Sequence, residues 1–430
     1  MRITPRPPET VAPADIDLFD PERFRSGDQH GAWRTLRETA PVWWHERAGQ
    51  SGFWCVTRYA ECERVLKDYR NFSSEHGTIL ASVGAPDPAG GATISLMDPP
   101  RHTALRTQAM RSFSHTVVRN RTPRVTARVA ALVDRLGEGE QDLAELARSL
   151  PMAVTGELMG IEEQYWDRLA HWSAVGLTPE DPAFAVGAST AATLSTSHHE
   201  IFACFMEIIA HKRANPGDDL ISALIALAPG GRPMDDGTLL LNCYSFMAGA
   251  NSTTPHVINH TVLALAERPD LWRSVAADET LVPALVEEGA RWTSTPYHLV
   301  RRAVNDVVLA GVPIAAGDWV CAWLPSANRD ESVFADPYEF SLRTLPSPHL
   351  GFGAGPHYCI GAPLSRMALG VFFRELVRRF DGVDITAPPQ HLYSNWINGF
   401  SSVPVRARRR PAVASSMPAA REGACAHGTS

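Results

Sequence analysis

One stretch of the sequence, HLGFGAGPHYCIGAPLSR at positions 349–366, concentrates residues that can do chemistry. It places a single cysteine, Cys359, among four glycines, two prolines and two histidines. A cysteine thiolate is both a nucleophile and a metal ligand, and backbone N–H groups ahead of a helix can hydrogen-bond its sulfur. Glycines let the backbone approach a large flat object closely, and Phe352 can lie against that object. The stretch therefore favours a loop that presents one sulfur to the plane of a cofactor.

Other chemistries are compatible with parts of this loop. A phosphate-binding G-x-G turn needs a preceding strand, where this chain has two prolines. His349, His357 and Cys359 offer three zinc ligands, but a structural zinc site normally takes four. A cysteine nucleophile with a histidine base remains a further alternative, as does a purely structural turn. Four glycines are entropically costly without a purpose, which disfavours the turn.

The wider pattern resembles a known family, the cytochrome P450 haem-thiolate monooxygenases in their soluble bacterial form. Four further segments resemble family motifs in the expected order: DPPRHTALR, VEEGARW, RRAVNDVVLAGVPIAAGDWV and SANRD. The resemblance covers roughly residues 41–405. Its most specific part is the loop pattern F-G-x-G-x-H-x-C-x-G, matched by Phe352, Gly353, Gly355, His357, Cys359 and Gly361.

This resemblance implies a mainly α fold with a small β region, and haem b (iron protoporphyrin IX) between a long central helix and the cysteine-loop helix. Cys359 would be the axial thiolate and the only metal ligand from the protein. Residues implied to brace the fold below the cofactor are Glu288, Arg291 and Arg329. Residues implied to contact the cofactor are His102, Arg106, Ala248, Arg301, Phe352, His357, Cys359 and Gly361.

The chain departs from the family at the segment MAGANSTT. The family usually reads A-G-x-[DE]-T-T there, and aligning A-G on Ala248 puts Asn251 at the acid and Ser252 at the first threonine. An amide cannot ionise as a carboxylate does, so proton delivery must work differently. We predict that Asn251, Ser252 and Thr253 form the catalytic group, with the Asn251 carbonyl left free by Pro255. The alternative is that Asn251 and Ser252 are tolerated helix residues that bond back to the backbone.

The resemblance also implies a substrate pocket, lined by Met97, Ala248, Tyr297, Leu299, Ile397 and Phe400. These side chains suit a bulky, mostly apolar molecule such as a polyketide or peptide antibiotic intermediate. The predicted reaction is hydroxylation or epoxidation of this secondary metabolite. The alternatives are oxidative C–O or C–C bond formation without oxygen insertion, and a haem-based gas sensor without turnover.

The elements that must position these residues can be predicted from hydrophobic spacing. Apolar residues at three- and four-residue intervals predict helices over most of residues 101–228, and one long helix over residues 235–267. Alternating residues around 301–320 predict a small sheet. We predict a flexible N-terminus at 1–15, a single domain at 16–405 and a disordered tail at 406–430.

Composition limits the partners. The net charge of −7 and pI near 6.1 give no reason to expect nucleic acid. A proline-rich N-terminus and the absence of a long apolar run predict no export and no membrane insertion, hence a cytoplasmic protein. We also expect a monomer. Seven scattered cysteines without a CxxC pair argue against a disulfide framework. The resemblance implies ferredoxin and ferredoxin reductase as electron donors. A basic face that could dock ferredoxin is formed by Arg111, Arg343, Arg366 and Arg374. The alternative is that these four arginines are ordinary solvated surface charges.

Overall fold

Helices form most of the chain in the computed structural model, which describes residues 8–26, 29–228, 232–343 and 346–411. The predicted mainly α class is confirmed. The α-helices are α1 Pro21–Ser26, α2 Gln29–Thr39, α3 Tyr59–Lys67, α4 Arg101–Ala109, α5 His115–Arg135, α6 Leu143–Met159, α7 Trp166–Leu177, α8 Thr190–Ala214, α9 Leu220–Ala226, α10 Asp236–Asn251, α11 Thr254–Ala266, α12 Pro269–Ala277, α13 Val282–Thr293, α14 Leu324–Ala327 and α15 Ala362–Arg379.

The strands form one larger sheet and three small ones. The larger sheet has the order β1-β2-β8-β5-β3, in which only β2 and β8 are parallel. The others pair as β4-β12-β9, β6-β7 and β10-β11. The strands are β1 Val42–His45, β2 Phe53–Val56, β3 Phe72–Ser73, β4 Glu140–Asp142, β5 His298–Ala303, β6 Val307–Leu309, β7 Val312–Ile314, β8 Trp319–Trp323, β9 Phe380–Ile385, β10 Gln390–His391, β11 Phe400–Ser402 and β12 Pro404–Arg409.

The hydrophobic core that holds the helices and sheets together has an aliphatic part and an aromatic part. The main part is aliphatic and lies among the long helices, where α5 packs on α15 and α11 packs between α6 and α13. A second core lies between the N-terminal helices and the larger sheet, and it is aromatic. There the ring of Phe24 contacts Tyr297 at 4.8 Å and Trp323 at 5.8 Å between centroids. The aromatic core ties residues near the start of the chain to strand β8 and to the residue that precedes β5.

The predicted long helix over residues 235–267 is interrupted near Pro255, where the structure divides it into α10 and α11. Ser252 N–H still bonds the carbonyl of Ala248 at 2.9 Å, and the next repeat starts anew with His256 N–H on the carbonyl of Thr253 at 3.1 Å. Pro255 lies in the first turn of α11, where its missing N–H costs no hydrogen bond. A proline in mid-helix thus becomes a helix start, and the break faces the site described below.

Both predicted chain ends need correction. Residues 406–409, which we assigned to a disordered tail, belong to β12 and pair with β9. At the other end, within the predicted flexible N-terminus, Val11 N–H bonds the Thr35 hydroxyl at 2.9 Å. Residues 1–7 and 412–430 lie outside the described residues. No helix in the described ranges is both long and apolar enough to cross a membrane.

Candidate active site

The cysteine loop is held in a shape that its glycines make accessible. Gly353 and Gly355 have φ of 70° and 69°, a region that residues with a Cβ rarely adopt. At Gly355 a Cβ would also lie 2.6 Å from the carbonyl oxygen of Leu66 on α3. The loop closes where Cys359 N–H bonds the carbonyl of Phe352 at 2.8 Å. These contacts turn the cysteine toward the interior, immediately before α15.

The Cys359 sulfur is surrounded by groups that favour its thiolate. Burial raises the pKa of the Cys359 thiol, while backbone N–H groups of Gly361 and Ala362 and the guanidinium of Arg106 act in the opposite direction. A Cβ on Gly361 would lie 3.9 Å from the sulfur. A coordinated metal ion removes the thiol proton outright. The sulfur is therefore placed as a ligand whose charge the loop backbone disperses.

A half-buried ionic network that the sequence analysis missed braces this loop. Glu287 on α13 accepts hydrogen bonds from Arg366 at 2.6 and 2.9 Å and lies 3.0 Å from Nε2 of His349. The guanidinium of Arg366 also lies 4.4 Å from the centre of the Phe352 ring. His349 is thus engaged away from Cys359, and no cluster of three His, Cys, Asp or Glu in the described ranges could hold a metal ion. This geometry disfavours the zinc alternative.

An interior cavity of about 330 Å³ lies between the cysteine loop and the break in the long helix. Its volume is in the range of small-molecule sites. On the helix side Gly249 and Ala250 form its wall, and a Cβ on Gly249 would meet nothing within 4 Å. Ala248, which we predicted to contact both cofactor and substrate, is buried outside this wall. The other predicted cofactor residues all line the cavity: His102, Arg106, Arg301, Phe352, His357, Cys359 and Gly361.

Four nitrogen-bearing side chains, those of His102, Arg106, Arg301 and His357, converge on the cavity, and none of them pairs with a carboxylate among the described residues. Both ring nitrogens of His102 and Nε2 of His357 are buried and without hydrogen-bond partners, and the two rings lie 4.2 Å apart. Arg301 is 2% exposed and bonds only its neighbouring carbonyl of Val300. Burial lowers the pKa of Arg301 to about 10 and that of His102 to about 4. Such donors fit the two carboxylates of a haem group, whose burial without partners would be costly.

Thr253 and Thr254 line the cavity at the helix break, and the Thr253 hydroxyl is the one with a hydrogen bond to the cavity wall. It donates to the carbonyl oxygen of Gly249 at 3.2 Å, and both residues line the cavity. In the part of the chain that the structure describes, neither Asp nor Glu lines this cavity. Proton transfer at this wall therefore depends on hydroxyl groups, backbone and water.

The structure does not bring Asn251 and Ser252 to the cavity wall, contrary to our prediction. The Asn251 amide donates to the hydroxyl of Ser173 on α7 at 3.1 Å, and its Oδ1 is buried without a partner. Ser252 is 6% exposed, and its hydroxyl lies 3.4 Å from the carbonyl of Gly249. Each helical residue turns the side-chain direction by about 100°. An assignment that is one residue out of register therefore points the wrong group at the site.

Only one of the predicted substrate contacts, Leu299, lines the cavity. Tyr297 precedes β5, so the alternation that aims Leu299 inward does not extend to it, and its ring packs in the aromatic core. Met97 and Ile397 are buried elsewhere, and Phe400 packs between His260 and His391. The sequence analysis missed several wall residues. For those on α6 and α10, the apolar spacing of these helices was the available signal. The missed residues are Ile94, Ser95, Phe113, Leu150, Val154, Ser245, Phe246, Val257, Thr295 and Pro296.

Two of the predicted bracing residues, Glu288 and Arg291, form an ion pair that is shielded from solvent. Arg291 donates to Glu288 at 2.7 and 2.8 Å, and both side chains are at most 1% exposed. Arg291 also donates to the carbonyl of Asn328 at 2.8 Å. Arg329 donates to the carbonyl of Trp292 at 2.9 Å, and burial lowers the pKa of Arg329 to about 9. The pair is therefore not the exposed i,i+3 contact that spacing alone would allow.

Comparisons with known proteins agree with this arrangement. The sequence profile of the family described as Cytochrome P450 matches residues 194–404. The chain is 34% identical to putative cytochrome P450 126 of Mycobacterium tuberculosis, covering 91% of this chain and 97% of that protein. It is 30% identical to linalool 8-monooxygenase of Pseudomonas putida, with coverages of 90% and 98%. Among solved structures it is similar to P450 OxyD, which is involved in the biosynthesis of vancomycin-type antibiotics, with 32% identity, a TM-score of 0.83 and coverages of 92% and 100%.

Proposed function

The chain belongs to the cytochrome P450 family and is a haem-dependent monooxygenase, and from this premise we propose how its residues serve the reaction. When bound, haem supplies the activation of dioxygen, with one oxygen atom entering the substrate and the other leaving as water. The balance is R–H + O₂ + 2 electrons + 2 protons giving R–OH + H₂O. The chain must therefore hold the cofactor, position R–H and deliver two protons.

We propose that the sulfur of Cys359 would hold the haem iron. The support is its position at the cavity wall, where the backbone N–H groups of Gly361 and Ala362 and the guanidinium of Arg106 favour the thiolate. Phe352 lies beside it on the same wall, under the guanidinium of Arg366. Thiolate donation favours oxygen–oxygen cleavage, and hydrogen bonds to the sulfur tune that donation.

His102, Arg106, Arg301 and His357 hold the two carboxylates of the cofactor in this proposal. All four face one cavity and lack a carboxylate partner among the described residues. Both ring nitrogens of His102, Nε2 of His357 and Arg301 are buried, whereas Arg106 is half-buried and donates to the carbonyl of Tyr358. Two anionic groups would neutralise the positive charge that burial makes unfavourable here.

Of the three residues that we predicted to be catalytic, Thr253 takes the proton-relay role in this proposal. Its hydroxyl accepts a hydrogen bond from water and, on releasing the carbonyl of Gly249 that it bonds at 3.2 Å, donates its proton toward the reacting oxygen. A hydroxyl can do both because it has one donor and two acceptor sites. Pro255 leaves the Asn251 carbonyl without its helical donor, so this carbonyl can bind the water that resupplies Thr253.

The substrate that suits this cavity is bulky and mostly apolar. Its walls are built from aliphatic and aromatic side chains of α6, α10, α11 and β5, such as Leu150, Val154, Phe246, Val257 and Leu299. We propose hydroxylation or epoxidation of a secondary metabolite of the polyketide or peptide antibiotic class. The similarity to OxyD supports this class, since that structure is described as part of antibiotic biosynthesis.

The observation that best supports the proposal is that buried ring nitrogens of His102 and His357 near Cys359 have no hydrogen-bond partner among the described residues. Absorption spectroscopy tests the proposal. The reduced protein under carbon monoxide should give the strongly red-shifted Soret band of sulfur-ligated haem. Cys359→Ser should lose this band, whereas Cys243→Ala, at a buried cysteine of α10 that does not line the cavity, should keep it. A red-shifted band that survives in Cys359→Ser would overturn the assignment.

A second candidate is oxidative C–O or C–C bond formation by the same centre. It consumes the same dioxygen, two electrons and two protons as insertion, with both oxygen atoms leaving as water, so the lack of a carboxylate on the described cavity wall is compatible with either reaction. Product mass separates the two reactions. Insertion adds one oxygen atom to the substrate, whereas bond formation removes two hydrogens.

We propose that ferredoxin, reduced by ferredoxin reductase, donates electrons at the open groove on the cysteine side, between α3, α13 and α15. Two arginines of the predicted basic face are engaged within the chain: Arg366 with Glu287, and Arg343 with the carbonyls of Ala335 and Asp336. Arg374 on α15 is exposed at the groove. Arg374→Glu should slow reduction by ferredoxin at low salt and have little effect when dithionite is the reductant.

A further inference from the structure

Three hydroxyl groups form a row at one end of the cavity. Thr93 Oγ1 lies 3.0 Å from Ser95 Oγ, which lies 3.1 Å from Ser245 Oγ. Ser95 belongs to the segment before α4, whereas Ser245 belongs to α10, and both line the cavity. The row therefore joins two separate parts of the wall through side chains alone.

The row has hydrogen-bonding capacity that its own contacts do not use. Three hydroxyls carry three hydrogens, and the two links between them use two. One O–H and several acceptor lone pairs remain, next to the apolar side chains of Ile94 and Phe246. An entirely apolar ligand would cover these groups and leave them unsatisfied, which is unfavourable. A ligand oxygen at this end would satisfy them.

Asn242 fixes the position of this row. Its side chain is fully buried, and its Oδ1 accepts the N–H of Ile94 at 2.9 Å. Its Nδ2 donates to the carbonyl oxygens of Ala92 at 3.0 Å and Thr238 at 2.8 Å. Both ends of the amide are thus used to clamp the segment around Ser95 onto α10. The two serine hydroxyls are held by the fold before any ligand arrives.

Helix geometry gives the distance from this row to the reacting end. Ser245 and Gly249 are spaced by four residues, so they lie close to one face of α10, and Thr253 follows just past the end of this helix. At about 1.5 Å per residue, Ser245 lies about 6 Å from Gly249 along the axis, and a continued helix would place Thr253 about 12 Å away. A ligand group at Ser245 is therefore one to two helical turns from the proposed oxygen site.

We propose that Ser95 and Ser245 bind a hydroxyl or carbonyl oxygen of the substrate and so select which carbon reaches the oxygen site. The inference rests on the proposed function, since it takes this cavity as the substrate site. It narrows the substrate class to apolar molecules with an oxygen function about 6 to 12 Å from the oxidised position. The two serines are specificity-determining residues and take no part in the chemistry.

Imidazoles that bind haem iron can test this without knowledge of the natural substrate. We would titrate the holoenzyme with 1-alkylimidazoles and with the matching 1-(ω-hydroxyalkyl)imidazoles over a range of chain lengths, following the Soret shift. The measured quantity is the ratio of the two dissociation constants at each length. The variants are Ser95→Ala/Ser245→Ala and the hydroxyl-keeping Ser245→Thr, with Ser274→Ala on α12, remote from the cavity wall, as a matched control.

At one chain length the ratio should favour the hydroxylated ligand about three- to tenfold more in wild type than in the double alanine variant, as expected for one net hydrogen bond. Ser245→Thr and Ser274→Ala should keep most of this preference. Equal ratios in wild type and double variant at every length would overturn the inference while leaving the proposed function intact. No Soret shift with any imidazole would overturn the haem assignment itself, and this inference with it.

Discussion

The Thr253 hydroxyl donates to the Gly249 carbonyl oxygen at 3.2 Å, and the two residues face the cavity from either side of the bend that separates α10 from α11. Asn251, between them in sequence, points to Ser173 on α7. The position of a residue relative to this bend decides whether its side chain can reach the oxygen site.

Thr253→Val should uncouple reductant use from product formation. Loss of a positioned proton donor lowers a rate by about a hundredfold or more when that step limits, so we expect product per NAD(P)H to fall roughly tenfold or more. Thr253→Ser keeps the hydroxyl and should retain most of the coupling. Asn251→Asp and Ser252→Ala should change it less than about twofold, since neither side chain lines the cavity. A loss in Ser252→Ala as large as in Thr253→Val would contradict the assignment.

Arg301 and Arg302 offer a matched pair for haem retention. Strand alternation aims Arg301 into the cavity, whereas Arg302 bonds the carbonyl of Gly317 at the surface. Arg301→Gln removes a charge-assisted hydrogen bond of about 1.5–3 kcal/mol, which corresponds to roughly ten- to hundredfold weaker haem binding. Transfer of haem to apomyoglobin would measure it. Arg302→Gln should transfer haem at the wild-type rate, and similar transfer from both variants would refute the proposed contact.

The ion pair between Glu288 and Arg291 should matter for stability far more than its spacing suggests. Because both side chains are at most 1% exposed, Glu288→Gln leaves a buried guanidinium without its counter-charge. Such losses cost about 3–5 kcal/mol, measurable by urea unfolding. Glu22 and Arg25 form a pair with the same spacing in which both side chains are 52% exposed, so Glu22→Gln should cost less than about 1 kcal/mol. Equal costs for the two variants would show that the buried pair has no special role.

The parts of the site that sequence could predict are those in which spacing and geometry are local. The cysteine loop is one, since positive φ at Gly353 and Gly355 and a helix start behind Cys359 leave few other arrangements. His102, Arg106 and Arg301 could be placed because each belongs to a short motif on one element. What joins distant elements could not be predicted. Glu287 gives no sign in the sequence that it, and not only its neighbour Glu288, braces a loop some sixty residues later.

The errors have the same physical origin. The alanine–glycine match put Asn251 and Ser252 at the catalytic positions, but neither side chain lines the cavity, and on a helix one residue turns the side-chain direction by about 100°. Tyr297 was assigned to the pocket because the resemblance implies it, yet β5 begins only at His298 and the Tyr297 ring packs in the aromatic core. Phe400 was also assigned by the resemblance, but its ring packs between two histidines outside the cavity. At the ends of helices and strands, tertiary packing sets the direction of the side chains. Sequence patterns contain little information about that direction.

His298 should make the protein sensitive to mild acid. Its fully buried ring accepts the N–H of Leu80 through Nε2 at 3.0 Å, a bond that only the neutral ring can accept. Burial lowers the pKa of His298 to about 3, against about 6.5 when unfolded. Because the unfolded state binds the proton more readily, the contribution of His298 to stability is fully present above pH 6.5. It is lost as the pH falls from about 6.5 toward 3, by at most about 1.4 kcal/mol per pH unit.

His298→Gln keeps an acceptor for Leu80 but cannot titrate, so it should remove this share of the acid sensitivity. Urea unfolding of both proteins at pH 7 and pH 5 gives the comparison. The drop in unfolding free energy between these pH values should be smaller in the variant by about 1–2 kcal/mol. His115→Gln, at an exposed position on α5, controls for the loss of a histidine as such and should leave the wild-type drop in place. If His298→Gln showed the same drop as wild type, folding would not lower the pKa of His298 and the prediction would be wrong.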